Sequence, residues 1–224
     1  VTNRSTDPIQ SAAAPAEGSS EPIRLLVADD QALVRGALVA LLELERDIRV
    51  VGQVGRGDEV VDAALAERPD VALLDVEMPG LDGISATRLL HERLPECRVL
   101  MVTTFGRPGY LRKALEAGAY GFVVKDTPAR ELADAVRRVS RGLRVIDPNL
   151  AADSMVSGAS PLTDRETDVL RAARDGGTVT DIAKALFLSE GTVRNHLSSA
   201  IGKTSARTRA EAVRIALDSG WLLP

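Results

Sequence analysis

The chain is sparing with the residues on which several protein classes depend. Its 224 residues include one cysteine, Cys97. A single thiol excludes an intrachain disulfide framework and fits a reducing cytoplasm. Beside the apolar run 99–102, it reads as a buried and inert side chain. The two histidines, His91 and His196, are too few for a nitrogen- and sulfur-ligated metal centre. No segment approaches about 18 consecutive apolar residues, so no membrane-spanning helix is expected. The N-terminus lacks a basic start followed by an apolar core, so no secretory signal is read. No internal repeat is found. Positive charge is also scarce overall: the net charge is −4.

Hydrophobic residues make up 45% of the chain and charged residues 27%, enough for a core and ordinary for a soluble protein. The length allows one large or two small domains. The charge is unevenly spread. Residues 161–224 hold 9 Lys and Arg against 8 Asp and Glu, and residues 1–160 hold 19 against 24. Arg194, Lys203, Arg207, Arg209 and Arg214 cluster within 190–214, opposed there by Glu190 and Glu211. A local basic patch of this size suffices for a small DNA footprint.

Residues 1–21 are rich in Ser, Ala, Pro and Thr, lack an apolar period and read as a disordered tail. From 22 to 142, apolar strands alternate with amphipathic helices. Strands are expected near 24–29, 49–54, 71–75, 98–103 and 121–125. Helices are expected near 31–44, 58–68, 84–93, 108–117 and 128–141. Pro108 and Pro128 suit first helical turns, and Thr127 suits a cap. Repeated βα units of this size predict an α/β, flavodoxin-like (βα)5 doubly wound sheet in the order 2-1-3-4-5. Residues 143–160 are Pro-, Gly-, Ser- and Ala-rich and read as a linker. Residues 161–224 read as a small all-α domain, opened by the capping box Thr163-Asp164-Arg165-Glu166.

Three apolar runs end in charge: Leu25-Leu26-Val27-Ala28 in Asp29-Asp30, Val71-Ala72-Leu73-Leu74 in Asp75, and Phe122-Val123-Val124 in Lys125. In a doubly wound sheet these residues meet at the carboxyl edge, at the switch point between strands 1 and 3. Phosphoryl transfer to a carboxylate needs an acceptor oxygen, a metal to offset charge, and donors for the new phosphoryl oxygens. Asp75 is the expected acceptor. Asp29, Asp30, Asp75 and the backbone carbonyl of Glu77 are the expected Mg²⁺ ligands, since that ion prefers oxygen. Lys125 and Thr103 are the expected phosphoryl partners. Glu77 and Phe105 flank the path of an attacking water, which predicts slow self-dephosphorylation. A rival reading is a hydrolase with an aspartyl-phosphate intermediate and Glu77 as its acid/base. The absence of a sizeable cap insertion and the DNA-binding pattern count against it.

Near the other end, 180–186 and 189–197 are two helix starts separated by Phe187-Leu188. Val193, Leu197, Ala200 and Ile201 form one buried stripe. Arg194, Asn195 and Ser198 fall on the opposite face, with Ser189 as N-cap. Arg suits guanine edges and Asn suits adenine edges in a major groove. Lys203, Arg207 and Arg209 suit phosphates, and Thr192 joins the expected DNA-binding set. Trp221 and Leu222 are expected to pack on the last helix.

The blocks Asp29-Asp30, Leu74-Asp75-Val76-Glu77-Met78-Pro79-Gly80-Leu81-Asp82-Gly83, Val102-Thr103-Thr104 and Gly121-Phe122-Val123-Val124-Lys125 resemble the receiver domain of two-component response regulators. The blocks Leu162-Thr163-Asp164-Arg165-Glu166, Ser189-Glu190-Gly191-Thr192-Val193-Arg194-Asn195-His196-Leu197 and Arg209-Ala210-Glu211-Ala212 resemble the LuxR-type helix-turn-helix. Together the chain resembles a NarL/FixJ-type response regulator, and in Thr103-Thr104-Phe105-Gly106-Arg107-Pro108-Gly109-Tyr110 its desaturase-regulator (DesR-like) branch. Two departures stand out: Asp126 follows Lys125 where many receivers have Pro, and Thr204 stands where the family usually has leucine, which is expected to loosen that helix end. The resemblance implies a non-enzymatic cytoplasmic regulator without a membrane partner. It further implies that a sensor histidine kinase phosphorylates Asp75, that Thr103 moves toward the phosphoryl group and Phe122 rotates inward, and that the protein then forms a homodimer on double-stranded promoter DNA. The dimerising surface is either the first and fifth helices or the fourth helix and its neighbours. A regulator that no longer uses phosphate is the remaining alternative, and the complete acidic set argues against it.

Overall fold

The computed structural model of the chain describes residues 21–104, 106–157 and 160–222. The expected tail lies almost wholly outside them. Parallel strands β1 (Ile23–Ala28), β2 (Ile48–Val54), β3 (Val71–Asp75), β4 (Arg98–Thr103) and β5 (Gly121–Val124) form the sheet. The helices that connect them are α1 (Ala32–Leu42), α2 (Val60–Glu67), α3 (Gly83–Arg93) and α4 (Pro108–Glu116), with α5 (Ala129–Ser140) following the last strand; a 3-10 turn, Gly57–Glu59, leads into α2. The strands pair in the order β2-β1-β3-β4-β5, all parallel, as the βα alternation predicts.

Alternation along each strand feeds two cores, one on each face of the sheet. Leu25, Val27, Leu73, Leu100 and Val102 pack with Leu38, Leu42, Leu132 and Val136 of α1 and α5. Leu26, Ala28, Leu74, Met101 and Phe122 pack with Val60, Ile84, Leu90 and Leu111 of the helices on the other face. Every residue of β3 is buried, so its terminal Asp75 is carried into the sheet edge by an apolar strand. Arg137 of α5 donates to Asp47 at 2.7 Å and to Glu45 at 2.5 Å, tying that helix to the turn before β2.

Two local expectations fail. Thr127 does not cap α5: Pro128 holds the cap position, itself extended at ψ 141°, with no side-chain cap. The segment expected to be a linker carries regular structure, a sixth parallel strand β6 (Val145–Ile146) beside β5 and a helix α6 (Pro148–Ser157). Asp147 Oδ1 accepts from the backbone N–H of Asn149 and Leu150 at 2.8 and 3.2 Å, capping a helix that begins with proline. Leu150 of α6 is buried in the core that holds Leu26, Met101 and Phe122. A Cβ on Gly106 would come within 1.8 Å of Leu150 Cδ2, so glycine permits this approach.

Helices α7 (Asp164–Ala173), α8 (Val179–Leu186), α9 (Glu190–Lys203) and α10 (Arg209–Asp218) enclose a third core built on Val169, Leu170, Ile182, Val193, Leu197 and Ala216. The capping box is present: Thr163 Oγ1 accepts from Glu166 N, and Glu166 accepts from Thr163 N at 2.7 Å. Thr178 and Asp181 form another at α8. Leu222 is fully buried in this core and Trp221 packs against it, as expected. The C-terminal end of α10 meets the start of α4: Gly109 N donates to Ser219 O at 3.1 Å, and Lys113 Nζ donates to the carbonyl of Trp221.

Candidate functional site

The carboxyl edge of the sheet gathers the residues expected there. Asp29 directly follows β1, Asp75 ends β3, Thr103 ends β4 and Lys125 directly follows β5. Asp29, Asp75 and Thr103 are buried, and Asp30 is exposed. Lys125 Nζ lies 2.7 Å from Asp75 Oδ2 and 2.7 Å from Asp29 Oδ2. Asp75 Oδ1 accepts from Val76 N at 2.7 Å, and Asp29 Oδ1 accepts from Gln31 N at 2.9 Å. Burial pushes the Asp75 carboxyl above its usual range, Lys125 opposes that rise, and Asp29 adds to it. Burial lowers the Lys125 ammonium, yet Asp29 and Asp75 together carry it above its ordinary value. Asp30, Asp75, Glu77, Thr103 and Thr104 line an open pocket of about 210 Å³.

Asp29, Asp30 and Asp75 each present an oxygen within 4.8 Å of the others. An all-oxygen set of this charge suits a hard divalent cation such as Mg²⁺. Lys125 approaches Asp29 Oδ2 off the direction of a hydrogen bond, so this buried oxygen keeps an unsatisfied lone pair, which a cation in the pocket would meet.

The loop after Asp75 is shaped by its own sequence. Gly83 N donates to Val76 O at 2.9 Å, and a Cβ on Gly83 would lie 1.8 Å from Asp75 O, so no larger residue fits there. Gly80 turns the chain at φ +82°. Asp82 caps α3 by accepting from Ser85 N at 2.8 Å.

Glu77 does not face the pocket as a free acid. Its Oε1 accepts from Arg107 Nη1 at 3.2 Å and from Tyr110 Oη at 3.3 Å, and Arg107 also donates to Tyr110 Oη at 2.6 Å. Burial pushes the Tyr110 phenol up to about 12, so it remains a donor. A carboxylate paired with a guanidinium is poorly suited to be the free acid/base of the hydrolase reading. Phe105, the other expected shield, lies outside the described residues. Phe122 is fully buried in the core beside Met101. The link from Glu77 through Arg107 and Tyr110 was missed in the sequence, since nothing in the spacing of 77 and 107–110 announces it.

In the helix pair, Arg194, Asn195 and Ser198 stand exposed on α9, Thr192 is half-buried, and Val193, Leu197 and Ala200 are buried beneath them. Ser189 caps α9, accepting from Thr192 N at 3.1 Å. Arg207 is exposed. Two expected phosphate contacts are engaged elsewhere. Lys203 Nζ donates to the buried Glu166 at 2.7 Å, and Arg209 Nη1 donates to Gly177 O at 2.7 Å. Burial pushes the Glu166 carboxyl up, but bonds from Lys203, Ser199 and Thr163 prevail and bring it down to about 2. Thr204 does not loosen the helix end. Its hydroxyl donates back to Ala200 O at 2.8 Å, and the residue is buried.

A buried carboxylate flanked by acids and a lysine, in one chain with an exposed Arg/Asn face on a capped helix pair, defines the class: a receiver-type switch joined to a DNA-binding unit. Residues 25–137 match the family described as response regulator receiver domain, and residues 160–216 match bacterial regulatory proteins of the luxR family. This chain belongs to the NarL/LuxR-type two-component response regulators. Among its relatives, the transcriptional regulatory protein YvfU of Bacillus subtilis (strain 168) is 44% identical over 89% of this chain and 100% of its own. DesR of the same organism is 41% identical over 89% of this chain and 98% of its own. The crystal structure of response regulator ChrA, from a heme-sensing two-component system, is 32% identical with a TM-score of 0.55, over 88% of this chain and 98% of that one. The RcsB–DNA complex, 24% identical with a TM-score of 0.61 over 89% and 99% of the two chains, shows the likeness of fold alone.

Proposed function

We propose that Asp75 is the phosphoacceptor of a sensor histidine kinase, and that its phosphorylation shifts the chain to a dimer that binds promoter DNA and regulates transcription. The observation that carries this reading is the buried Asp75 carboxylate with one oxygen on Lys125, beside the buried Asp29 Oδ2, which accepts no hydrogen bond among the described residues. An Asp75 oxygen attacks phosphorus as the bond to the kinase imidazole breaks. Lys125 neutralises the new phosphoryl oxygens, and the Thr103 hydroxyl approaches them. Asp29, Asp30, Asp75 and the Glu77 carbonyl would hold Mg²⁺, which offsets the gathering negative charge.

The receiver spans about 22–142, and the DNA-binding unit spans about 161–224. Arg194, Asn195, Ser198 and Thr192 meet base edges and nearby phosphates, and Arg207 meets phosphates. Lys203 and Arg209 act mainly within the fold. The test is the mass and oligomeric state of purified protein given Mg²⁺ and a small acyl-phosphate donor, parent beside Asp75→Asn. One phosphoryl adduct on the parent only, with a shift to dimer, is the expected result. Equal labelling of both proteins would place the acceptor elsewhere.

A further inference from the structure

The recognition face carries an acid that DNA binding does not call for. Glu190 is the first residue of α9. Its Oε2 accepts from Arg194 Nη2 at 2.7 Å, one turn along the same helix. Its Oε1 accepts from Thr180 Oγ1 at 2.7 Å, in the first turn of α8. One carboxylate therefore joins the starts of both helices of the pair to the arginine that points outward. The bond from Thr180, then that from Arg194, hold the Glu190 carboxyl below its usual range, so it stays charged.

Resting on the DNA-binding reading above, we propose that Glu190 is a positioning residue, anchored by Thr180, that presents Arg194 to a guanine and weakens binding to non-specific DNA. Arginine carries much rotamer freedom, and a guanidinium held at one edge keeps its other donors for a base. Phosphate contacts, by contrast, need only a cation at the right distance. A fixed negative charge among the groups that approach the backbone opposes those contacts while leaving the arginine–guanine pair intact. As an isolated surface pair, Glu190–Arg194 contributes little to helix stability. Its effect is therefore expected in discrimination.

The experiment starts from a randomised duplex pool, selected with the full-length parent in Mg²⁺ and a small phosphodonor. The enriched duplex, single-base variants of it and a random duplex are then titrated at several salt concentrations with parent, Glu190→Gln, Thr180→Val, Arg194→Ala and the double variant Glu190→Gln/Arg194→Ala. Glu190→Gln is expected to lower the ratio of enriched to random affinity about tenfold, within the span of one bidentate base contact. It should steepen the salt dependence by about one charge equivalent. Thr180→Val should act in the same direction but less. The base-pair preference lost in Glu190→Gln should be the one lost in Arg194→Ala, and the double variant should lose no more of it. Enrichment by the parent with unchanged discrimination in Glu190→Gln would overturn this proposal alone, as would additive losses in the double variant. No enrichment by the parent would overturn the DNA-binding reading and this proposal with it.

Discussion

Lys203 at the end of α9 reaches the buried carboxylate of Glu166 in the first turn of α7, at 2.7 Å. This bond, with those from Ser199 and Thr163, fixes where the outward-facing helix sits on the helix that opens the unit. Lys203→Ala is expected to destabilise the C-terminal unit by about 1–3 kcal/mol, the scale for stranding a buried polar group. Salt dependence of DNA binding should change little. Denaturant unfolding beside a salt titration separates the two roles, and the opposite pattern would return Lys203 to the phosphates.

The same acid sets an acid limit. Its carboxyl titrates at about 2 in the fold against an ordinary 4.5. The folded value is depressed, so the stabilisation is fully present above about 4.5 and is lost as pH falls toward 2. Unfolding of the parent should therefore become easier across that window. Glu166→Gln, already without this charge, should show a flatter dependence there. Fluorescence of Trp221, packed on the same core, reports the transition.

The order of strands, the two sheet cores and the meeting of Asp29, Asp75 and Lys125 were legible because each depends on short-range pattern plus one topological rule. Three apolar runs ending in charge can converge only if the sheet is parallel. What escaped depends on contacts between distant segments. Residues 143–160 look like a linker by composition, yet Asp147 before Pro148 carries a helix-start signal that composition hides. Lys203 looks like a phosphate contact by its place near a helix end, and only the approach of α7 gives it a buried partner. The tether from Glu77 to Arg107 and Tyr110 joins the loop after β3 to the start of α4, and no local period encodes it.

Mg²⁺ should raise the melting temperature of the parent through the acidic pocket. At about ten times its dissociation constant, a ligand for the folded state adds about 1.4 kcal/mol. Asp29→Asn should abolish most of this rise, because the buried Asp29 Oδ2 accepts no hydrogen bond among the described residues. Thermal melts with and without Mg²⁺ test this, and an equal shift in both proteins would move the ion away from the pocket.

Cys97 should resist thiol reagents in the folded protein. It is buried just before β4, and burial, followed by the nearby Asp70 and Glu96, pushes the thiol up to about 12. At neutral pH the reactive thiolate is therefore both scarce and enclosed. Timed reaction with an aromatic disulfide should give almost no colour in buffer and one equivalent in denaturant. Rapid reaction in buffer would mean that β4 opens readily.

The contact between α4 and the end of α10 should strengthen in alkali. Lys113 donates to the Trp221 carbonyl there. Burial, followed by repulsion from Arg171, lowers its amine from 10.5 to about 8, while Asp82 and Glu116 work the other way. The docked arrangement thus disfavours the charged form. Below pH 8 the ammonium is charged whether docked or released, and the full penalty falls on docking. Between about 8 and 10.5 the docked amine is neutral while the released one is still charged, so docking gains as pH rises. A zero-length or short cross-link between α4 and the end of α10, or the radius of gyration by small-angle scattering, should show a more closed population at pH 9 than at pH 7. Lys113→Met carries no charge to neutralise and should flatten that dependence; an unchanged pH response in this variant would assign the effect to another group.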